Sequence, residues 1–343
     1  MSSITEEEFA AKVAQTVKDS RDAAREALVI IDHAVLIQVD DNVQIENERQ
    51  GTKVKDSILV EGSAEGTYFL PNHQSEQERL NLQRQIFLLS FNDKLALAPI
   101  AEKELKYVLD VGSGSGIWPV EFVTDATTTE QHPKTQVLGL DISPCAPPFI
   151  PPNCTFEVHD AETEWLFPQK FDYIHGRALM SCFHSPLSVI KSAFAALTPG
   201  GYLELQDCVA PWHSLDDTLV GTTLWKFHQM TIAAAASLGR DVTQVVRYKA
   251  FFEEAGFVDV KEVHYQWPLG KWAKGEKMKK AGEMFREDME SVMGVLAERL
   301  LVRGAGMEKG EADEMVEAVR RDCRDGRVHA YMPGIVVYGR KSE

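Results

Sequence analysis

The chain has 343 residues, 44% of them hydrophobic and 26% charged, with a formal net charge of −16 at pH 7. This composition is typical of a folded globular protein and excludes a disordered chain. The acidic balance argues against a nucleic-acid partner, because phosphate binding needs a basic face. No apolar run approaches the roughly 18 residues of a membrane span. The five cysteines form no C-x-x-C pair and no signal peptide opens the chain, so we expect a cytoplasmic protein with reduced thiols.

The N-terminal region is predicted to form a helical arm. Thr5 and Glu8 make a capping box before an alanine-rich stretch. The segment Ala27–Val39 is apolar and needs a packing partner, whereas residues 40–56 are polar. We therefore divide the chain into an arm or lid of residues 1–67 and a main domain of residues 68–343. Formation of a homodimer is the alternative role for this arm.

The main domain alternates strands and helices. A capping pair, Ser75 and Glu78, precedes a helix, and further helices are predicted over Ser188–Leu197 and Gln244–Ala255. Seven strands are predicted over Tyr107–Val111, Gln136–Leu140, Thr155–Val158, Phe171–Ile174, Tyr202–Gln206, Val258–Gln266 and Ile335–Tyr338. This alternation predicts an α/β fold with a doubly wound, mostly parallel sheet.

Two long insertions interrupt this alternation of strands and helices. They comprise residues 209–240 and 268–327 and are predicted to be mainly helical. Insertions of this length at strand ends commonly build a lid or a substrate chamber. The first contains three aromatic side chains and a histidine that we assign to substrate binding: Trp212, His213, Trp225 and Phe227. Ordinary core packing is the alternative explanation for the apolar members of this set.

A glycine-rich turn follows the first predicted strand in the sequence Y-V-L-D-V-G-S-G-S-G-I-W. Gly112, Gly114 and Gly116 let backbone amides approach a ligand at the carboxyl end of the strand. Ile117 stands where a dinucleotide fingerprint needs its last glycine, and no G-K-[ST] follows. The turn therefore disfavours a nicotinamide or flavin cofactor and excludes a phosphate-binding P-loop.

Two acidic residues follow the next two predicted strands. Asp141 ends the second strand, where a carboxylate can accept hydrogen bonds from both ribose hydroxyls, and Asp160-Ala161 follows the third, near an adenine amino group. Glycines, a ribose-binding acid and a further acid at successive strand ends suit a nucleoside with an amino-acid tail. Helix capping by either acid alone is the alternative.

Several stretches resemble the class I S-adenosylmethionine-dependent methyltransferases. They are V-L-D-V-G-S-G-S-G-I-W, V-L-G-L-D-I-S, H-D-A-E, F-D-Y-I-H-G-R-A-L, L-T-P-G-G-Y-L-E-L-Q-D and H-A-Y-M-P-G-I-V-V-Y-G-R-K. Together with T-Y-F-L-P-N-H-Q-S-E-Q-E-R-L they are similar to the fungal secondary-metabolism branch, which includes the velvet-complex regulator. The resemblance runs from about Tyr68 to Lys341 and implies that the last two strands form an antiparallel pair at one edge.

The resemblance implies S-adenosylmethionine as the cofactor, whereas the large apolar insertions favour a small molecule as the substrate. It implies that Asp110 and the glycine loop hold the methionine part, Asp141 the ribose, and Ile142 the adenine ring. Tyr68 would close over the cofactor from the lid segment. The full set of residues that it assigns to cofactor binding is Tyr68, Asp110, Gly112, Ser113, Gly114, Gly116, Asp141, Ile142, Asp160, Ala161, His175 and Arg177.

Methyl transfer from a sulfonium is an in-line displacement, to which a protein contributes mainly alignment. A general base is needed only for an acceptor that carries a proton at neutral pH. His175, at a strand end, and His213, in the first insertion, are the catalytic candidates; a structural histidine near the cofactor is the alternative for His175. Asp207 closes the fifth strand and is a candidate for orienting the acceptor. No zinc set is recognisable, so no metal is expected.

Three functions agree with these patterns. The first is O- or N-methylation of a small molecule, in particular a fungal secondary metabolite. The second is a methyltransferase-like regulatory protein that acts through protein partners, for which a nuclear location is also expected. The third is an enzyme that retains the cofactor but catalyses a different rearrangement. The intact glycine loop and Asp141 disfavour a scaffold that binds no cofactor.

Overall fold

A computed structural model describes residues 74–144, 147 and 149–343. The predicted arm of residues 1–67, with Thr5 and Glu8, lies outside the described residues. Tyr68 and the predicted boundary beside it lie outside them as well.

Strands and helices alternate through the described ranges, as the sequence predicts. The strands are β1 (Tyr107–Val111), β2 (Gln136–Asp141), β3 (Cys154–Val158), β4 (Phe171–Arg177), β5 (Leu197–Cys208), β6 (His213–Ser214), β7 (Val258–Pro268) and β8 (Ala330–Arg340). The α-helices are α1 (Gln74–Ser90), α2 (Ile117–Thr124), α3 (Ala126–Gln131), α4 (Pro186–Ala196), α5 (Thr223–Ser237), α6 (Tyr248–Ala255), α7 (Glu276–Leu296) and α8 (Lys309–Arg324). A 3₁₀ segment, Val242–Arg247, leads into α6, and a π-helical segment, Ala297–Val302, continues α7.

The strands form one sheet in the order β3-β2-β1-β4-β5-β8, and both β7 and the short β6 also pair with β8. The first five strands of this order are mutually parallel, whereas β8 is antiparallel to its neighbours. Val263 lies opposite Val336 in the β7–β8 pair, which confirms the predicted antiparallel pair of the last two long strands. The described sheet has eight strands, one more than predicted, because His213–Ser214 extends along β8 beyond the end of β5.

The parallel strands are apolar on both faces because helices cover both sides of the sheet. On one face, Leu109 and Ile174 pack with Ile190 of α4 and Phe252 of α6. On the other face, α2 packs the buried Trp118 against the sheet in a cluster with Val108 and Tyr173. The carboxyl ends of β1, β2, β3 and β4 therefore open at one edge, between two covered faces.

The insertions build a helical unit beside β7 and β8. Trp267 of β7 contacts Phe87 of α1 and Phe285 of α7, with ring centroids 4.7 Å and 5.7 Å apart. A buried ion pair between Arg79 and Asp288, 3.1 Å long, joins α1 to α7. No described helix has the length and apolar composition needed to cross a membrane.

The two insertions differ in helix content. Residues 268–327 are mainly helical, as predicted, through α7, the π-helical segment and α8. Residues 209–240 are less helical than predicted, since they contain β6 and irregular chain before α5 begins. That helix starts only after Thr222, whose hydroxyl accepts a hydrogen bond from the backbone N–H of Trp225.

Candidate functional site

The glycine loop after β1 forms one wall of a large cavity. Gly112 has φ of 66°, a conformation that strongly favours glycine. A Cβ atom there would also lie 2.5 Å from the side chain of Leu179, so the site has no space for a larger residue. Gly112 and Gly114 line the cavity. The backbone is therefore the surface that the loop presents to a ligand.

The other loop residues face away from the cavity. Gly116 starts α2 with φ of 71°, and a Cβ there would lie 2.6 Å from Pro147 and 2.7 Å from Phe156. The hydroxyl of Ser113 is buried without a hydrogen-bond partner among the described residues and points towards Gly139 of β2. Both residues therefore pack against neighbouring parts of the protein, and neither lines the cavity.

Asp141 joins the end of β2 to the glycine loop. Its Oδ2 accepts a hydrogen bond from the N–H of Gly114 at 2.8 Å, and its Oδ1 accepts one from the N–H of Ser143 at 2.9 Å. Burial raises the pKa of this carboxyl, and the two hydrogen bonds oppose that shift. Each carboxylate oxygen retains acceptor capacity towards the cavity that Asp141 lines.

The loop after β3 also lines the cavity, to which Asp160 and Ala161 contribute together with Ile142. Asp160 Oδ1 accepts a hydrogen bond from the N–H of Glu162 at 2.9 Å, which holds the turn. Ile142 is 39% exposed and lies on the rim. The residues that the sequence predicts for the ribose and the adenine ring thus converge at one mouth of the cavity.

His175 is sealed beneath the glycine loop. Its Nδ1 lies 2.7 Å from Asp110 Oδ1, and its ring stacks on Trp118 with centroids 3.8 Å apart. The side chain of His175 is fully buried, and neither it nor Asp110 lines the cavity. This geometry fits the structural alternative for His175 and gives it no access to a substrate.

Arg177 follows His175 on β4 and reaches the cavity. Gly176 pairs with Val111, which places Arg177 beside the start of the glycine loop. Its guanidinium lies 5.3 Å from the ring centroid of Phe87 and makes no ion pair with a described residue. Burial lowers the pKa of Arg177 to about 10, so the group remains a cation at neutral pH. It therefore offers a positive charge to an anionic ligand group.

The cavity has a volume of about 610 Å³ and extends from the glycine loop to the helices α5 and α7. That volume lies within the range of about 300–1,000 Å³ typical of small-molecule sites. We call the part lined by the two insertions and by the adjoining β5, β8 and 3₁₀ residues the acceptor chamber; its lining residues are Cys208, Ala210, Trp212, His228, Thr231, Ile232, Ala235, Val242, Met289, Val292, Leu296, Leu300 and Met332. The chamber is predominantly apolar.

Only Trp212 among the predicted substrate-binding residues lines the chamber. On α5, the residues that face it are His228, Thr231, Ile232 and Ala235, which recur at helical spacing. Phe227, one residue earlier, points into the core and is 4% exposed, and Trp225 packs against the same core.

His213 is also directed away from the lining. It lies in β6 opposite Tyr331, and the two rings stack with centroids 5.9 Å apart. The structure thus gives no support to the catalytic prediction for His213.

Asp207 lines the cavity with its carboxylate already occupied. Oδ2 accepts hydrogen bonds from the N–H of Leu179 and the hydroxyl of Tyr248, both at 3.0 Å, and Oδ1 accepts one from the N–H of Cys208. Burial raises the pKa of Asp207 to about 7. These contacts connect the turn after β4 to the end of β5, so Asp207 holds together two segments that line the cavity.

His228 is a chamber residue that the sequence patterns did not single out. Its Nε2 accepts a hydrogen bond from the backbone N–H of Trp212 at 3.0 Å. Burial, with a smaller contribution from His213, lowers the pKa of His228 to about 3. The sequence does show that His228 and Thr231, three residues apart, share one face of a helix. It does not show whether that face meets a cavity or the core. No group of residues able to hold a metal ion occurs in the described ranges.

Comparisons with known proteins agree with this geometry. A family model described as a methyltransferase domain matches residues 81–262, which contain β1 to β5 and the glycine loop. "Probable methyltransferase tdiE" of Emericella nidulans is 32% identical, over 78% of this chain and 82% of that relative. "Methyltransferase pytC" of Aspergillus terreus is 28% identical, over 80% and 84%. "Secondary metabolism regulator LAE1" of Cochliobolus heterostrophus is 27% identical, over 79% and 88%.

Proposed function

The chain belongs to the methyltransferase family, in the branch of these fungal relatives, and on that premise we propose that it methylates an oxygen or nitrogen atom of an apolar small molecule. S-adenosylmethionine is the methyl donor in this proposal. One observation carries it: a single cavity is lined by the glycine loop, by Asp141 and by the residues of the acceptor chamber, Trp212 among them. Donor and acceptor can therefore meet within one cavity.

The residues at the mouth fit S-adenosylmethionine. The positive φ of Gly112 and the absence of space for a Cβ leave backbone as the contact surface for the methionine part. Asp141 would hold the ribose hydroxyls, and Ile142 with Asp160 and Ala161 would border the adenine ring. Arg177 would pair with the methionine carboxylate, since it lines the cavity and remains a cation at neutral pH. When bound, the cofactor supplies an electrophilic methyl group on a sulfonium.

The protein contributes alignment and exclusion of water rather than proton transfer. His175 is sealed from the cavity, and the carboxylate of Asp207 is occupied by three donors. Neither is placed to remove a proton from an acceptor. An acceptor that is nucleophilic without a general base, such as an amine or an acidic hydroxyl, therefore suits the chamber best.

The regulatory alternative has support in the similarity to a secondary-metabolism regulator. A protein substrate would have to insert a side chain into the chamber, whereas a small apolar molecule can fill a volume of this size. The volume of the cavity and its mainly apolar lining therefore favour a small molecule. A role in secondary metabolism and a cytoplasmic location remain parts of the proposal, and a homodimer formed through the arm remains the alternative to a lid.

The experiment incubates the purified protein with S-adenosylmethionine carrying a deuterated methyl group and a panel of apolar amines, phenols and indoles. Mass spectrometry follows both the demethylated cofactor and the labelled product. We expect label on at least one small molecule, and loss of that label with Asp141→Ala. Label on a co-purified or added protein instead would support the regulatory function.

Two further outcomes bear on the role of the cofactor. A converted molecule without consumption of the methyl donor would indicate a cofactor-retaining rearrangement. Failure of the wild-type protein to bind either S-adenosylmethionine or its demethylated product in calorimetry would refute the proposed function altogether.

A further inference from the structure

The imidazole of His228 is held in one protonation form by its surroundings. A backbone N–H can only donate, so the Nε2 atom that it contacts at 3.0 Å must carry no proton. The imidazolium form would place two N–H groups against each other there. His228 is therefore neutral, with its proton on Nδ1.

The second ring nitrogen faces the acceptor chamber. Nδ1 makes no hydrogen bond within the described part of the chain. It is also absent from the inaccessible, unpartnered polar atoms of those residues, so it is accessible. His228 lines the cavity, so the open side of Nδ1 is the cavity side. The ring therefore presents an N–H donor to whatever fills the chamber.

The other polar groups near this position are already engaged. The hydroxyl of Thr231 donates to the carbonyl of His228 at 2.9 Å, and the carboxylate of Asp207 accepts three hydrogen bonds. Arg79 is paired with Asp288. The Nδ1–H of His228 is thus a directed donor in a chamber lining that is predominantly apolar.

Resting on the proposed function, we propose that His228 is the specificity-determining residue for the acceptor, donating its Nδ1–H to an oxygen of an otherwise apolar molecule. The substrate class is an apolar ring system that bears a carbonyl or comparable hydrogen-bond-accepting oxygen. An unpaired buried N–H is costly, so molecules without such an oxygen are disfavoured. His228 is a positioning residue in this role and removes no proton.

Nuclear magnetic resonance tests the tautomer without any substrate. Long-range nitrogen–proton spectra of histidine-labelled protein should show one histidine with its proton on Nδ1 that does not titrate between about pH 5 and about pH 8. His228→Asn should remove that signal, which assigns it. A proton on Nε2, or titration in this range, overturns the proposal.

Matched probes test recognition directly. 2-Acetylnaphthalene and 2-ethylnaphthalene have similar size, and only the ketone has an acceptor oxygen. Their affinities for protein saturated with the demethylated cofactor can be measured from tryptophan fluorescence. The ratio of ketone to hydrocarbon affinity should fall about tenfold in His228→Phe, which corresponds to about 1.4 kcal/mol.

Two further variants complete the test. His228→Asn retains a side-chain N–H and should restore part of the ratio, whereas Leu238→Ala, at an exposed position after the end of α5 and outside the lining, should leave it at the wild-type value. An unchanged ratio in His228→Phe, or no binding of either probe to the wild type, overturns the proposal. Because cofactor binding is measured separately by calorimetry, failure of the His228 proposal is distinguishable from failure of the proposed function.

Discussion

Asp141 combines two tasks at the scale of a single residue. Its carboxylate orders the glycine loop through Gly114 and the turn through Ser143, and it lines the mouth of the cavity. Asp141→Ala should therefore weaken binding of the demethylated cofactor by about 10- to 100-fold, since losing a partner of a buried polar group costs roughly 1–3 kcal/mol. Titration calorimetry measures this change.

Glu130 provides the matched control for this prediction. It is an exposed acid on α3, away from the cavity lining. Glu130→Ala should bind the cofactor like the wild type. Wild-type affinity in Asp141→Ala would contradict the role proposed for that residue.

Asp207 should make stability depend on pH. Its pKa is about 7 in the folded protein against an ordinary 3.8, so the folded state binds the proton more tightly than the unfolded state. Its contribution to stability is full below the ordinary pKa and declines as pH rises through about 7. Asp207→Asn lacks this titration, so its stability deficit relative to wild type should be larger at about pH 5 than at about pH 8.

Urea unfolding at the two pH values measures the effect. The stability deficit of Asp207→Asn relative to wild type should be smaller at about pH 8 than at about pH 5 by roughly 1–3 kcal/mol, because one pKa unit corresponds to about 1.4 kcal/mol. Asp217, an exposed acid, serves as the control, and Asp217→Asn should show no such narrowing. A deficit for Asp207→Asn that stays constant or widens with pH would refute the buried, proton-binding state of Asp207.

At the scale of the element, α7 is positioned by a close approach between its own backbone and that of the turn after β7. A Cβ on Gly282 would lie 1.9 Å from the carbonyl oxygen of Gly270, in the turn after β7. Gly294 lies on the same helix with nothing within 4 Å of its Cβ position. Gly282→Ala should lower the free energy of unfolding by about 1–3 kcal/mol, whereas Gly294→Ala should raise it by about 0.5–1 kcal/mol.

Thermal and urea unfolding measure the stability of both variants, and because both substitutions lie on α7, each serves as the control for the other. Because α7 supplies Met289, Val292 and Leu296 to the acceptor chamber, Gly282→Ala should also weaken binding of apolar probes. Equal effects of the two substitutions on stability would show that α7 does not pack against the turn at Gly270.

At the scale of the whole molecule, the cofactor side of the cavity is built from β1 to β4 and the turns that follow them. The residues concerned lie between positions 112 and 177, and Leu80 of α1 lies beside Gly114, so every described residue of this side follows residue 60. Deletion of residues 1–60 should therefore leave affinity for the demethylated cofactor within about twofold of wild type in calorimetry. If the arm forms a lid, turnover should fall far more than this affinity.

The same truncated protein distinguishes the two roles of the arm. A change in mass by light scattering, with turnover preserved, would support dimerisation instead of a lid. Loss of cofactor binding on truncation would contradict the prediction, since it would require a direct contribution from residues 1–60.

The sequence by itself determined the fold class, the predicted strands and the residues at the cavity mouth. Strand periodicity and turn chemistry are local properties, so β1, the glycine loop and the acids after β2 and β3 could be recognised from their neighbours. Parallel strands end at one edge of a sheet, which is why Asp141 and Asp160 converge there.

Only the tertiary structure decided which candidates reach a ligand. His175 is sealed because Trp118, far from it in sequence, stacks on its ring. On α5, contacts with α8 and the core turn Phe227 inward and leave His228 facing the chamber. Burial of a side chain depends on packing between elements distant in the chain, and neither composition nor spacing records which face of a helix meets a core and which meets a cavity.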